Sequence, residues 1–335
     1  MRICIFGAGA IGGYLGADLA RVPELDVTVI ARGPHLAAIR EHGLKLLVDG
    51  EERIAHPAAT DDPQEVGVQD YVILGLKAHQ GWEVADRMAP MLGPDTAVVT
   101  CQNGVPWWYF HGLEGPYEGL RLASVDPGDR QWNAIGPERV IGCVVYPAGE
   151  IASPGVIKIT FGNKFAIGEP SGAVSERCER LSQALESAGF KAPILTDLRD
   201  EIWLKLWGNL CFNPISALTR ATLDVVATDP GTRAVSRAMM EEAEEVAKRL
   251  GASFRVDIER RIDGAARVGA HRTSMLQDLE RGRALEIDAL LTAVLEMARI
   301  VDVETPISTA VLSLVQQLGR TQSLYPTFPE EPSGA

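Results

Sequence analysis

Short apolar runs alternate with stretches of helical periodicity over the first part of the chain. The runs rich in β-branched and aromatic residues predict strands over residues 2–6, 27–30, 71–76, 97–101, 140–146, 156–161 and 165–168. The first of these runs are continuously apolar, as expected for strands that are covered on both faces of a sheet. Strands separated by helices in this way predict a mainly parallel sheet with crossover helices.

The pattern changes near Thr196, after which apolar residues recur at helical spacing and strand signals are few. Residues 233–250 and 285–301 follow this periodicity. The segment 306–319 ends in glycine, which is a common helix stop. The second part of the chain is therefore predicted to be all-α.

The length supports a division into two domains. At 335 residues the chain exceeds the usual size of a single hydrophobic core. We therefore expect an α/β domain over residues 1–195 and an all-α domain over residues 196–324. The tail 325–335 is rich in Pro and Glu and is expected to be loosely ordered.

Composition is that of an ordinary globular protein, with 46% hydrophobic and 23% charged residues. The apolar segments are shorter than the ~20 residues that cross a bilayer, so no membrane association is expected. The first residues run from a strand directly into glycines and lack a signal-peptide pattern. These features together predict a cytoplasmic protein.

Charge and cysteine usage exclude two further classes of partner. The net charge of −13 repels nucleic acid, and there is no Lys/Arg-rich run to offset it. The cysteines are odd in number, widely spaced and free of CxxC motifs, so they indicate free thiols, with neither a disulfide framework nor a metal site. They are Cys4, Cys101, Cys143, Cys178 and Cys211.

A glycine-rich motif follows the first predicted strand and opens a helical stretch. In this GxGxxG pattern, Gly7 permits a tight turn, Gly9 lets a pyrophosphate approach the backbone, and Gly12 lets helix and strand pack closely. The helix N-terminus then presents free N–H groups to the phosphates. The predicted dinucleotide-binding residues are Gly7, Ala8, Gly9, Ala10, Ile11 and Gly12.

The end of the second predicted strand indicates which dinucleotide is bound. An acidic residue there would accept hydrogen bonds from the ribose hydroxyls of NAD. This strand ends instead in Ala31 and Arg32, and a guanidinium can pair with the 2′-phosphate of NADP. The sequence therefore favours NADPH, the alternative being that Arg32 is a solvated loop cation.

Two more loops lie where the third and fourth predicted strands end, at the edge where doubly wound sheets bind ligands. They contain Lys77 and Asn103, which we expect to meet either the cofactor or the substrate. The Asn-Gly pair at Asn103 is equally compatible with plain turn chemistry.

Three polar residues, Lys205, Asn209 and Asn213, recur at intervals of four in a strongly apolar segment. On a helix they share one face. Burying them is costly unless something satisfies them, and a bound polar ligand would do so. The alternative is a lysine that reaches solvent and asparagines bonded to backbone. Pro214 disfavours helical geometry at Asn213, so a kink that displaces Asn213 is expected there.

Two further polar residues lie near the start of predicted helices. Ser274 opens a Ser-x-x-Gln capping box and is expected to start a short helix. Glu286 is placed at the start of a long helix, where a first-turn acid is favourable in its own right. Capping alone would explain Ser274, and the favourable position of an acid in the first turn would explain Glu286.

These motifs together resemble the ketopantoate reductases (2-dehydropantoate 2-reductases), over nearly the whole chain. The N-terminal GAGAIGG is shared by many dehydrogenases, whereas the K-x-x-x-N-x-x-x-N-P run and the SMLQD motif followed by EID are specific. The motifs lie at residues 7–13, 32, 76–80, 102–104, 205–214, 274–278 and 286–288.

The resemblance implies a Rossmann-type domain joined to an all-α domain like the C-terminal domain of 6-phosphogluconate dehydrogenase, with NADP(H) as cofactor. It implies reduction of 2-dehydropantoate, a small 2-oxo acid, for pantothenate biosynthesis, with Lys205 as the general acid and Glu286 near it at the nicotinamide end. Substrate-binding roles fall on Asn209, Asn213 and Ser274. Cofactor contacts fall on Lys77, Asn103 and, by a loose alignment, Ala148.

The chain departs from the family pattern after Asn103-Gly104, where an aromatic segment at residues 105–111 replaces a small, polar one. We expect its aromatic side chains to reshape the substrate pocket or to form a homodimer contact. Leu223 also stands where some members have a polar substrate contact. Two alternatives therefore stay open, a reductase of another 2-oxo acid or imine and a non-catalytic NADP-binding sensor.

Overall fold

The computed structural model describes residues 1–326. The strands observed within that range agree with the predicted ones to within one or two residues at each end, and four more are found that the pattern did not predict. They are β1 (Arg2–Phe6), β2 (Asp26–Ile30), β3 (Leu44–Val48), β4 (Glu51–Ala55), β5 (Ala58–Thr60), β6 (Tyr71–Leu74), β7 (Ala97–Thr100), β8 (Val140–Val145), β9 (Ala148–Ser153), β10 (Val156–Phe161) and β11 (Phe165–Gly168).

The main sheet within residues 1–326 has seven strands in the order β11-β8-β7-β6-β1-β2-β5. All its pairs are parallel except β11 with β8, which confirms the predicted mainly parallel sheet. Strand β1 lies between β2 and β6, so the strand order reverses at β1. The loop after β1 therefore opens at the switch point where such sheets bind ligands.

A second sheet was not foreseen. Its order in the described residues is β4-β3-β10-β9, so Val156–Phe161, predicted as part of the main sheet, pairs instead with β3 and β9. Local pattern indicated β3, β4 and β9 only weakly, because β4 is mostly exposed and rich in charged residues, and β9 is half exposed and has a single β-branched residue. Their existence depends on long-range pairing, which the local pattern does not report.

The helices observed in residues 1–326 include those predicted at 233–250, 285–301 and 306–319. They are α1 (Ala10–Leu19), α2 (Gly33–His42), α3 (Ala78–Val84), α4 (Arg130–Ile135), α5 (Glu176–Ser187), α6 (Leu198–Thr219), α7 (Leu223–Thr228), α8 (Pro230–Arg249), α9 (Ile258–Ala266), α10 (Ser274–Glu280), α11 (Ala293–Ile300) and α12 (Pro306–Thr321). A π-helical turn at Asp288–Thr292 precedes α11.

The chain divides into two compact units between Glu201 and Ile202, a few residues beyond the boundary expected from sequence. The first unit holds both sheets and the second is helical, which confirms the predicted fold class. Of the helices in residues 1–326, none is both long and apolar enough to cross a membrane.

The second sheet packs on helix α1, which follows the glycine-rich loop. A Cβ at Gly13 would lie 2.9 Å from the side chain of Ile157 on β10. Near the other end of α1, the carboxylate of Asp18 is only 4% exposed and pairs with Arg53 of β4 at 3.0 Å. The helix is therefore held between the main sheet and the second sheet.

The aromatic segment lies in the core of the first unit. Trp107, Trp108, Tyr109 and Phe110 are each 1–3% exposed. The indole N–H of Trp108 donates to Thr100 Oγ1 at 2.9 Å. These four side chains are therefore core residues, with almost no surface left for a substrate or a homodimer partner to contact.

The segment expected to form a loose tail begins at Tyr325. Its hydroxyl donates to Asp288 Oδ1 at 2.6 Å, so this residue is bound to the helical unit. Residues 327–335 lie outside the described residues.

Candidate active site

The glycine-rich loop has the geometry that its motif predicts. Gly7 adopts a φ of +102°, a backbone conformation that residues other than glycine rarely adopt. A Cβ at Gly12 would lie 2.0 Å from the Gly7 carbonyl oxygen, so only glycine fits there. A Cβ at Gly9, by contrast, would meet only the Gly75 carbonyl at 3.7 Å. The backbone at Gly9 is therefore open to close approach by a ligand.

The amides of the loop divide into two sets. Those of Gly7 and Ala8 donate to the Ile30 carbonyl at 3.2 and 3.0 Å, so they join the loop to the end of β2. The amides of Ala10, Ile11 and Gly12 form the first turn of α1, where no carbonyl of the helix precedes them. This second set suits the diphosphate of a dinucleotide.

His35 was not singled out from the sequence, yet it fixes the glycine-rich loop. The Gly155 amide donates to its Nδ1 at 2.9 Å, so the ring proton lies on Nε2, which donates to the Ala8 carbonyl at 2.8 Å. Burial lowers the pKa of His35, against the smaller opposite effect of the bond to Ala8. Neutral His35 thus joins α2, the loop and the β9–β10 turn. The local pattern around His35 did not indicate these contacts, because both partners are distant in sequence.

We expect the His35→Gln variant to lose less stability in acid than the native chain does. Because the pKa of His35 is lowered from 6.5, the unfolded chain takes up a proton first as the pH falls. The contribution of His35 to the free energy of unfolding is therefore present above pH ~6.5 and is lost as the pH falls through its lower folded pKa. Urea unfolding between about pH 7.5 and 5.5 should show a smaller decrease for His35→Gln than for the native chain.

Two conservative variants separate the two hydrogen bonds of His35. Glutamine can still donate to Ala8, whereas His35→Asn retains an acceptor for Gly155 but does not reach Ala8. We therefore expect the Kd for NADPH to rise about 3- to 10-fold in His35→Asn, as for loss of a hydrogen bond, and to stay near native in His35→Gln. Equal Kd values in the two variants would show that the bond to Ala8 does not matter.

Arg32 lies where the sequence predicted, immediately after β2 and as the N-cap of α2. Its side chain is exposed, and in the described part of the chain it has no hydrogen bond or ion pair. Strand β2 neighbours β1 in the main sheet. Arg32 therefore lies just beyond the end of β2, at the same edge of the sheet as the glycine-rich loop.

Lys77 and Asn103 follow β6 and β7, which are neighbouring strands. Lys77 is the N-cap of α3, and the Gln102 side chain donates to its carbonyl at 3.4 Å. The two loops are therefore joined at the carboxyl edge of the main sheet. Ala148 is elsewhere in the topology, since it begins β9 of the second sheet and pairs with Phe161.

Helix α6 carries the predicted polar face. It continues from Leu198 to Thr219 with Pro214 inside it, so Pro214 does not end the helix. Lys205 and Asn209 are half-buried, and Asn213 is 5% exposed. The surrounding residues Trp203, Trp207, Leu210 and Phe212 are each 0–3% exposed. Three polar side chains therefore lie on α6 among apolar neighbours that are almost fully buried.

Asn213 and Ser274 come together although 61 residues separate them in sequence. The Asn213 side-chain amide lies 3.3 Å from Ser274 Oγ. The short helix begins at Ser274 as predicted, but the predicted cap is wrong: Thr273 is the N-cap, and its Oγ1 accepts from the Leu276 amide at 3.3 Å. Since a neighbouring residue caps the helix, the Ser274 hydroxyl is available to Asn213 and to a ligand.

Glu286 lies just before a helix rather than inside one. Helical residues begin at Ile287 and pass through the π-helical turn at Asp288–Thr292 before α11. The carboxylate side chain is half-buried. π-helical turns are rare and often mark functional sites, so the turn adds a structural feature to the predicted site that the sequence pattern did not show.

A buried carboxylate at the start of α6 was also missed. Glu201 is 3% exposed, accepts a hydrogen bond from the Tyr146 hydroxyl, and lies 3.4 Å from Lys164 Nζ. The same ammonium lies 4.4 Å from the centroid of the Tyr146 ring. This network fixes the first turn of α6 to the end of β8. Its members are far apart in sequence, so no local pattern could have indicated it.

Comparison with known proteins agrees with these features. A family model described as ketopantoate reductase PanE/ApbA matches residues 3–172, and the model of its C-terminal part matches residues 197–319. A 2-dehydropantoate 2-reductase of Mesorhizobium japonicum is 55% identical over 97% of this chain and 100% of its own length.

Solved structures share the fold along almost the full length. One assigned to a ketopantoate reductase of Ralstonia solanacearum has a TM-score of 0.92 at 41% identity, covering 97% of this chain and 99% of that one. A D-mandelate dehydrogenase with NADH and anilino(oxo)acetate has a TM-score of 0.82 at 20% identity, covering 97% and 100%, and shows a common fold. The resemblance inferred from sequence is thereby confirmed: this chain belongs to the ketopantoate reductase family.

Proposed function

We propose that this protein reduces 2-dehydropantoate to pantoate with NADPH. The observation that carries the proposal is the polar face of α6, where Lys205, Asn209 and Asn213 recur every four residues and Asn213 lies 3.3 Å from Ser274 Oγ. The 55% identity to a 2-dehydropantoate 2-reductase supports the same reaction. A non-catalytic sensor would have no need of a lysine at this position.

The residues at the edge of the main sheet fit a nicotinamide dinucleotide. The first-turn amides of α1 and the open backbone at Gly9 suit the diphosphate. Arg32 supplies a guanidinium at the end of β2, where NADP carries a 2′-phosphate and where NAD-binding proteins place a carboxylate. Lys77 and Asn103 are assigned to the rest of the cofactor site, and Ala148 to a further contact.

The chemistry of the reaction matches these residue types. A bound reduced nicotinamide supplies the hydride that reaches the ketone carbon. Negative charge then grows on the ketone oxygen, and the Lys205 ammonium stabilises that charge and donates the proton. Glu286 is assigned to the neighbourhood of this ammonium, where a carboxylate favours its charged form before proton transfer.

Neutral groups hold the substrate in this proposal. Asn209, Asn213 and Ser274 offer hydrogen bonds to the carboxylate and hydroxyl groups of the 2-oxo acid. The Asn213–Ser274 pair connects α6 with α10, so one end of the substrate would be held from two helices. Because none of the three side chains titrates near neutral pH, they position the substrate without changing charge.

The structure also removes one reason to doubt the substrate. The aromatic segment distinguished this chain from the family pattern, but Trp107 to Phe110 are packed in the core of the first unit. They therefore give no support to a pocket adapted to a larger aromatic substrate. Leu223 is the remaining departure, at the first residue of α7.

A panel of 2-oxo acids tests the function. We expect kcat/KM for NADPH oxidation to be at least 100-fold higher with 2-dehydropantoate than with pyruvate or phenylglyoxylate, because only the branched hydroxy acid uses all the hydrogen bonds of the site. Similar values across the panel would mean that another 2-oxo acid or an imine is the substrate. NADPH binding without turnover of any compound would favour the sensor.

A further inference from the structure

Two residues near the end of α12 hold the segment that carries Glu286. The Leu285 amide donates to the Leu324 carbonyl at 3.0 Å. The Tyr325 hydroxyl donates to Asp288 Oδ1 at 2.6 Å. Along the chain, Glu286 thus lies between Leu285, which is anchored through its backbone, and Asp288, which is anchored through its side chain.

The direction of the Tyr325 hydrogen bond is set by a chain of polar groups. Arg320 donates to Gln316 Oε1 at 3.4 Å, so the amide nitrogen of Gln316 faces Tyr325 and donates to its hydroxyl oxygen at 3.1 Å. The single hydroxyl proton is then directed to Asp288. The pKa of Tyr325 is raised above its ordinary value of 10, mainly by burial and to a smaller extent by the hydrogen bond to Asp288. Tyr325 is therefore a donor throughout the working pH range.

The segment held by Tyr325 contains a π-helical turn. Asp288 begins the π-helical turn, whose geometry is rare in isolation. Within that turn, Thr292 Oγ1 donates to the same Asp288 oxygen at 2.8 Å. The Tyr325 hydroxyl adds a hydrogen bond to Asp288 from outside the turn. Its approach requires Gly319, where a Cβ would lie 2.6 Å from Tyr325 Cβ.

We propose that Tyr325 is a positioning residue for Glu286, acting through Asp288 and the π-helical turn. The inference rests on the proposed function, which assigns Glu286 to the reaction. It assigns a role to a residue beyond position 319, where the match to the family model ends. Loss of the Tyr325 hydroxyl does not alter the Glu286 carboxylate itself. It removes the hydrogen bond that anchors the following backbone at Asp288.

The test compares Tyr325→Phe with Tyr117→Phe, a matched change in the first unit. The Tyr117 hydroxyl has no hydrogen-bond partner in residues 1–326. We expect Tyr325→Phe to lower kcat about 5- to 10-fold and to shift the kcat pH profile, with the Kd for NADPH unchanged. Tyr117→Phe should match the native enzyme in all three. Native kcat and pH profile in Tyr325→Phe would overturn the inference, as would a pH-independent loss that accompanies weaker NADPH binding.

A double-mutant cycle with Glu286→Gln shows whether Tyr325 acts through Glu286. If it does, Tyr325→Phe changes kcat little once the carboxylate is absent, so the double variant resembles Glu286→Gln alone. Multiplicative effects would overturn the inference and leave the proposed function intact. Native activity in Glu286→Gln would refute the assigned role of Glu286, and with it the inference.

Discussion

Lys205→Ala is expected to lower kcat by about 10²- to 10⁴-fold, the usual effect of removing a general acid. The substitution removes both the charge that stabilises the developing alkoxide and the proton that neutralises it. NADPH should still bind with a Kd close to the native value, because the cofactor residues lie in the first unit. Stopped-flow or steady-state NADPH oxidation with 2-dehydropantoate, together with a cofactor titration, measures both quantities.

Two further lysine variants sharpen this experiment. Lys248→Ala removes an exposed lysine that pairs with Glu244 on α8, and its kcat should equal that of the native enzyme. Lys205→Arg keeps the positive charge but gives up a proton far less readily, so a large loss there would attribute the effect to proton transfer. Native turnover in Lys205→Ala would exclude the mechanism.

Arg32→Ala is expected to raise the Kd for NADPH about 10- to 100-fold and to leave the Kd for NADH nearly unchanged. The two cofactors differ only in the 2′-phosphate, and hydrogen bonds to a charged group contribute ~1.5–3 kcal/mol. Arg32 is exposed and has no partner in the described part of the chain, so its removal should not disturb the fold. Fluorescence titration with each cofactor measures the ratio.

Arg40→Ala is the matched control for this change. Arg40 lies on α2, the helix whose N-cap is Arg32, and its guanidinium donates to the Ala59 carbonyl at 2.9 Å. Like Arg32→Ala, the Arg40→Ala variant removes one positive charge from the region of α2, so a general electrostatic effect would appear in both variants. An equal effect of Arg32→Ala on NADPH and NADH would mean that Arg32 does not contact the phosphate.

Local pattern alone was sufficient for the framework of the molecule. The continuous apolar runs identified β1, β6 and β7 because strands buried on both faces need no other signal. The glycine motif was sufficient for the cofactor loop, since φ at Gly7 and the contact at Gly12 depend on residues within a few positions. The polar face of α6 followed from helical spacing, which is also a local property.

Only the tertiary structure decided the features that depend on distant residues. The second sheet, the contact of His35 with Gly155, the buried Glu201 and the anchoring of Asp288 by Tyr325 all join segments far apart in sequence. The same is true of Ser274, whose local capping box suggested a role that Thr273 takes instead. A short pattern specifies backbone conformation and the face of each side chain, whereas the partner on that face is selected by the packing of the whole chain.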